Sequence, residues 1–424
     1  MSNLLQRMLL ASRAGLQFGG SRDLYTVYGY KVKPVFQDYL AKYIRQDIAK
    51  RIVNAPASAT WKTPPTIVAN PEFTTKWDAL IEQYKVWSVL ERLDRLTGIG
   101  RFAVLLIGLS DTVDTSKPVM RASDILYLQP YSEGSVQILK YDESPTSPRY
   151  GLPLDYEIQA SDTSLGGIKN ANLKIHYSRV VHVAEDCLEN TVFGIPRLQG
   201  VYNLLDDLAK VVGGSAETYW LMSNRGMQVD VDKEMDLSTD DATALSDEIQ
   251  EYHHQLRRFI RTRGVKINNL GSDIANPKDT FDVLVSLISG TTGLPKRILL
   301  GSEVGQLASD QDRANWADRV EERRKGFVNP TILKPFIETL IEAQVLPRTE
   351  YTIEWSEAFK MTPLEETQKM AQFARAATNL SKQHQFGTPI TTQEEARAAL
   401  GLPPTGGPSY DLSPTQDAQA QQTK

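Results

Sequence analysis

Apolar and polar positions alternate between two regimes along the 424-residue chain. From about Val35 to Val53 (VFQDYLAKYIRQDIAKRIV) apolar side chains return at helical spacing, and the Pro-rich NAPASATWKTPPT that follows predicts a stop. A second helix is predicted from about Thr74 to Gly98, with Trp77, Leu80, Ile81, Tyr84, Trp87, Leu90 and Leu93 on one face. The period then shortens to that of strands in RFAVLLIGL, ILYLQPY, SVQILKY, LDYEIQA and KIHYSRVVHVAE. The first half therefore predicts an α+β domain of two helices and an antiparallel sheet. FAVLLIGL, from Phe102 to Leu109, is far short of the roughly 20 residues that span a bilayer, and reads as a buried strand.

From Pro196 the pattern is helical again, in one long amphipathic stretch interrupted at Gly213 and Gly214. MQVDVD, a helix near Thr239 to Thr262, and VKINNLG predict two strands around a helix. Asn276 and Pro277 open another helix, which ends between Gly290 and Pro295. Ser309 with Asp312 forms a capping-box pattern ahead of a long helix. Asp310, Asp312 and Asp318 come early in that helix and Arg323, Arg324 and Lys325 late, the order that suits its dipole. EYTIEW predicts a last strand, Thr362 and Glu365 cap a further helix to about Lys382, and TTQEEARAALGLPP makes a short final one. The N-terminal 22 residues read as a loosely held amphipathic arm and the tail after Pro403 as disordered.

Composition narrows the chemistry. With 41% apolar and 23% charged residues the chain is globular in type. Its length suits two or three domains at roughly 150 residues each. A net charge of -5 argues against a tight nucleic-acid clamp, which needs a clustered basic surface. The lone Cys187 has no internal disulfide partner, fits a reducing cytoplasm, and reads as a packed small side chain. His176 and His182 share a face of one predicted strand, without a third ligand at metal spacing. His253 and His254 point to different sides of their helix.

Two stretches carry candidate chemistry. In GLPKRILLGSEVGQLASDQDRANW, from Gly293 to Trp316, Lys296 and Arg297 stand beside Gly301, Ser302, Gly305, Gln306 and Ser309, a composition that suits a phosphate cradle. No Lys follows a Gly anywhere, so a P-loop is absent, and there is neither GxSxG nor HExxH. The second stretch holds Arg257, Arg258, Arg261 and Arg263. It reads either as a solvated face balancing Asp240, Asp241, Asp247, Glu248 and Glu251, or as a docking surface for an acidic partner or nucleic acid.

KIHYSRVVHVAED from Lys174, then FGIPRLQGVYNLLDDLAKV from Phe193, resembles the strand-plus-helix signature of tailed-phage portal proteins. Upstream, YLAKYIRQDIAKRIVNAPASATWK and GLPLDYEIQ are similar to that family's first helix and a Gly-x-Pro strand. Downstream, ISGTTGLPKRILLGSEVGQLASDQDRANWADRVEERRKGFVNPTILKPFIETL is similar to its helix, Gly-Leu-Pro turn, Gly-rich loop and long helix. The resemblance implies a ring of about twelve subunits with closed symmetry. Each subunit would have a wing (23–196, completed by 310–361), stem helices (197–224 and 274–294), an α/β clip (225–273), a tunnel loop (295–309) and a helical crown (362–402). It implies a structural, non-enzymatic protein without a cofactor, assembled in the host cytoplasm and resident at the portal vertex of a virion. Its implied partners are the major capsid protein, the terminase large subunit, a head-tail adaptor and double-stranded DNA in the channel, with no membrane. Lys296, Arg297, Ser302, Gln306 and Ser309 would then meet passing DNA, and Arg257, Arg258, Arg261 and Arg263 would dock the clip's partners. The alternatives are a nucleotide-binding enzyme using Gly301 to Ser309, and another head-tail component of the virion.

Overall fold

In a computed structural model, residues 24–112, 114–160, 170–223, 227–231, 238–253, 265–269, 276–301 and 306–357 are described, with 371, 372 and 375. The chain divides into two units, Met1–Ala358 and Phe359–Lys424. In the second, the described residues Ala371, Gln372 and Arg375 are helical, and the rest of the expected crown lies outside the described residues.

The first unit opens with α1 (Leu24–Tyr28), α2 (Phe36–Arg45) and α3 (Asp47–Trp61). The one helix expected up to Val53 is two, because Gln46 lies in extended backbone at φ -111°, ψ 121°. The Pro-rich stretch does not stop α3, which runs through Pro56. An interior proline removes a helical donor. On the turn below it, the Arg197 guanidinium donates to the Val53 carbonyl at 2.6 Å. Ala49, Val53 and Ala57 are fully buried, so packing overrides the local stop signal.

After β1 (Thr66–Val68) come α4 (Pro71–Tyr84) and α5 (Val86–Ile99), where the sequence predicts one helix. The break is Lys85, in left-handed backbone at φ 49°, ψ 47°. With neither Gly nor Pro there, nothing local announces it. The turn brings Trp77 and Trp87 edge to face, 5.9 Å between ring centres.

The strands β2 (Ala103–Leu109), β3 (Ile125–Ser132), β4 (Val136–Tyr141), β5 (Pro153–Ala160), β6 (Asn170–His176) and β7 (Val180–Val183) form two antiparallel three-stranded sheets, β3-β2-β7 and β4-β5-β6, not one. Strand β2 explains why. Leu105, Ile107 and Leu109 face a core shared with α4, α5 and the 328–346 segment, while Val104 and Leu106 face a second core against Tyr156, Ile158 and Ile175 of the other sheet. A strand covered on both faces reads as an unbroken apolar run, as expected from the sequence.

Helix α6 (Tyr202–Ser223) starts later than Pro196 and continues through Gly213 and Gly214 without interruption. Next come β8 (Met227–Val231), α7 (Thr239–His253) and β9 (Val265–Asn269), with Met227 opposite Asn269 and Val231 opposite Val265, which is the predicted pair of strands around a helix. The chain returns through α8 (Lys278–Thr292), α9 (Lys296–Leu300) and α10 (Gln306–Arg323), a π-helical stretch Arg324–Leu333 containing Pro330, and α11 (Lys334–Glu342). The predicted last strand is β10 (Thr352–Glu354), antiparallel to β1.

A third core joins α2, α3 and the end of α5 to the root of α6 and to α8 through Tyr39, Ile52, Ile99, Leu205, Leu208, Val285 and Ile288. The N-terminal segment clamps that root. Tyr30 donates to Asp207, Lys42 pairs with Asp206 and lies over the Tyr202 ring, and Lys210 donates to the Tyr28 carbonyl at 2.9 Å. The hydrogen bond to Asp207 pushes the Tyr30 hydroxyl up to about 12.

Gly194 tests how tightly the body is closed, because a Cβ there would lie 1.9 Å from the Glu185 carbonyl oxygen. Both flanking amides are committed, Gly194 to Arg101 and Ile195 to Glu185. Gly194→Ala is expected to destabilise the protein by about 3 kcal/mol, the upper end of overpacking costs, read as a lower urea midpoint.

Candidate functional site

Most of the described residues of the Gly293 to Trp316 segment are helical, in Lys296–Leu300 and from Gln306 onward. Gly293 is left-handed at φ 64° and ends α8, and the Arg319 guanidinium fills the space where a side chain would stand. Leu294 and Leu299 are buried, and Arg51 donates to the Ile298 carbonyl at 2.7 Å. Helix α9 is thus pinned to the body, and Gly301, left-handed at φ 71°, closes it. Lys296 reaches the Asp282 carbonyl at 3.4 Å, and Arg297 lies 3.8 Å from Asp312. Ser302 and Gly305 lie outside the described residues, whereas Gln306 and Ser309, expected in the loop, belong to the first turn of α10. Ser309 therefore sits inside the helix and not at its cap.

Behind this segment lies a group of ionised side chains that sequence reasoning missed. Asp94, on α5, has no exposed surface. One carboxylate oxygen accepts from Arg197 at 2.7 Å and Arg323 at 2.5 Å. The other accepts from the Trp61 indole at 2.8 Å and from Arg323 again at 2.9 Å. Glu185 completes the set, accepting from Arg197 Nε at 2.7 Å and Arg323 Nε at 3.1 Å. Two carboxylates face two guanidinium groups, so the cluster is neutral as a whole. Burial opposes ionisation of Asp94, but Arg323 and Arg197 outweigh it and hold the carboxyl at about 2. The Arg323 guanidinium meets the same opposition from burial and is driven the other way, upward, by Asp94 and Glu185.

This overturns the reading of Arg323 and Arg324 as partners of a helix dipole. Arg324 is buried, donates to the Thr60 and Ser356 carbonyls, and lies over the Trp355 ring at 4.6 Å. The available signal was Asp94 itself, an acid on the apolar face between Leu90, Leu93 and Thr97 at helical spacing. A charge on a buried stripe requires partners.

The two described histidine side chains, His176 and His182, hydrogen-bond within the fold. His176 ends β6 and His182 lies in β7, so they do not share a strand. His182 Nε2 donates to the Val192 carbonyl at 2.8 Å, leaving Nδ1 to accept from Tyr156, and burial pushes the imidazole down to about 4. Among the described residues no group of three His, Cys, Asp or Glu is placed to hold a metal, and no helix is long and apolar enough to cross a membrane. Cys187 is half-buried with its thiol 3.7 Å from the Thr191 carbonyl, and burial raises its pKa. Arg257, Arg258, Arg261 and Arg263 lie outside the described residues, as do His254 and His384.

No curated protein sequence matches this chain. The family model described as phage portal protein matches residues 37–379, and the chain belongs to that family. Among solved structures it is similar to the neck of a native gene transfer agent (GTA) particle computed with C12 symmetry, at 13% identity and TM-score 0.53, over 87% of this chain and 94% of that one. The neck of an empty GTA particle computed with C6 symmetry gives 14% identity and TM-score 0.53, over 90% and 99%. An HK97-family phage portal protein from Corynebacterium diphtheriae gives 10% identity and TM-score 0.39, over 75% and 94%. The mixed helix-and-sheet architecture agrees with the portal family's fold.

Removing the central carboxylate leaves two buried guanidinium groups facing one acid. Asp94→Asn is expected to cost about 3–5 kcal/mol in urea unfolding at neutral pH. The Asp94 pKa is depressed on folding, so its contribution is complete above about pH 4 and is lost as pH falls toward 2. The wild-type protein should therefore lose stability across that window more steeply than the Asn variant, and parallel pH profiles would show the carboxylate to be unimportant.

Proposed function

We propose that this protein is the subunit of a closed ring of about twelve copies at one vertex of a capsid, whose channel conducts double-stranded DNA during packaging and ejection. The observation that carries this reading is a set of large apolar side chains left exposed to solvent on two helices that pack together. Helices α6 and α8 pack on each other through Leu205, Leu208, Val285 and Ile288. They nevertheless expose Val212, Tyr219 and Trp220 on the one and Val283 and Leu287 on the other, with Trp220 at 66%. Burying such side chains stabilises by about 1.5–3 kcal/mol each. A neighbouring copy is the partner that membership of the portal family supplies, and the contact closes by rotation.

In this reading α6 and α8 are the stem, the β8-α7-β9 unit is the clip that meets the terminase large subunit and later a head-tail adaptor, and the body with its two sheets is the wing beside the major capsid protein. Residues 295–309 serve as the tunnel loop that meets the DNA. A net charge of -5 per subunit suits a channel through which DNA slides, since fixed cationic contacts to phosphate retard movement. The protein provides the passage and has no catalytic role of its own.

Negative-stain images of the purified protein are expected to show rings with a central hole, and the double variant Trp220→Asp, Leu287→Asp should shift them to monomers. Monomers in the wild type at high concentration would overturn the ring. Deleting residues 302–305 is expected to leave rings intact while lowering DNA retention in particles at least tenfold. Normal retention would remove the loop from contact with DNA.

A further inference from the structure

We propose that Gly213 and Gly214 form a hinge in α6, about which the outer part of the helix and the β8-α7-β9 unit swing as one lever relative to the body. The proposal rests on the geometry of α6 and goes beyond the ring reading, which it does not require.

The two halves of α6 are held differently. Up to Lys210 the helix is fixed by the Tyr30, Lys42 and Tyr28 contacts to Asp207, Asp206 and Lys210, and Leu208 is its last buried residue among those described. From Val212 onward the described side chains are exposed or partly exposed. The supporting helix also runs out there. A Cβ at Gly200 would lie 3.3 Å from the Thr291 methyl, which places the start of α6 beside the end of α8. The helices are therefore antiparallel, and an equal number of residues along both brings the first residue of α8, Lys278, close to level with Gly213. The glycine pair marks the point where, among the described residues, α8 ceases to brace α6.

Neither glycine is needed for space or for backbone sign. A Cβ would meet nothing within 4 Å at Gly213 or Gly214, and neither belongs to the residues with positive φ. Each glycine in a helix interior lowers local helix stability by about two- to fivefold relative to alanine. Two adjacent ones make this the weakest turn of α6. The neighbouring hydroxyls act in the same direction. Ser215 donates to the Val212 carbonyl at 2.9 Å and Thr218 to the Gly214 carbonyl at 2.8 Å, side-chain bonds of the kind that bend helices. A helix clamped below, beyond the described residues of α8 above and weakest at the boundary concentrates bending at that boundary.

The test uses the full chain with Cys187→Ser and spin labels on Ser88→Cys in α5 and Ala244→Cys in α7, labelled subunits being diluted into unlabelled ones. The distance distribution measured by pulsed electron resonance is expected to be at least twice as broad with the glycine pair as with G213A/G214A. Amide exchange over residues 213–218 should slow about tenfold in the double variant. G290A, at an equally open position on α8, is the control and should leave the distribution broad. Equal widths, unchanged exchange, or the same narrowing by G290A would each overturn the hinge. Loss of the wild-type oligomeric state in G213A/G214A would also overturn it, because the glycines would then serve close approach of another copy. If the protein forms no rings at all, widths and exchange rates still decide the question, so failure of the ring reading is separable from failure of the hinge.

Discussion

Asp94 is the point on which the body of this protein is aligned. Its carboxylate holds two guanidinium groups that arrive from well-separated parts of the chain, Arg197 at the entry to α6 and Arg323 at the end of α10. Glu185 closes the set from the loop after β7, and Trp61 and Thr60 bring in α3. Isolated charges in such a place are unfavourable, and a neutral, fully hydrogen-bonded cluster is the arrangement in which they persist. Its main effect is directional. Guanidinium and carboxylate meet in fixed planar geometry, so the cluster sets the angle at which α6 and α10 leave the body, which apolar contact alone leaves free to slide.

The three cores depend on that alignment because they share elements. Helix α5 contributes Leu90 and Leu93 to one core and Ile99 to another, and Asp94 lies between them. Strand β2 belongs to two cores through alternate side chains. Displacing α5 would disturb the sheets on one side and the roots of α6 and α8 on the other. The π-helical turn that begins at Arg324 follows directly on the last residue to touch Asp94. It carries Pro330 and still presents Val328, Ile332 and Leu333 to the core. The body is thereby tied by ion pairs and hydrogen bonds where α6 leaves it, which is the condition the proposed hinge requires.

What was legible in the sequence follows from whether the signal is local. The buried strand at 103–109, the hairpin alternation after it and the strand-helix-strand order of 227–269 were readable because side-chain periodicity is set within a few residues. The break at Lys85 was not, since neither Gly nor Pro marks the left-handed lysine that brings Trp77 against Trp87. Pro56 and the Gly213-Gly214 pair misled in the opposite direction: each is a breaker locally, yet the helix continues through both, past the proline because Val53 and Ala57 beside it are buried, and past the glycines at the cost of a weaker turn. Arg323 misled because a charge near a helix end has a sufficient local explanation. Its true partners are more than a hundred residues away in sequence.

The segment from Gly293 shows how far composition can carry an argument about chemistry. Glycine, serine and two bases describe a phosphate cradle, a tunnel loop and a braced turn equally well. The structure separates the roles by position. Gly293 serves packing, since the Arg319 guanidinium needs the space and the backbone needs positive φ. Gly301 serves backbone sign, with nothing within 4 Å of its missing side chain among the described residues. Arg297 is directed toward Asp312 of α10 within the same subunit. A base engaged in this way offers a phosphate a contact only by exchanging partners, which makes any such contact weak and reversible. In the proposed channel that is the appropriate strength, because a tight phosphate site would hold the polymer still.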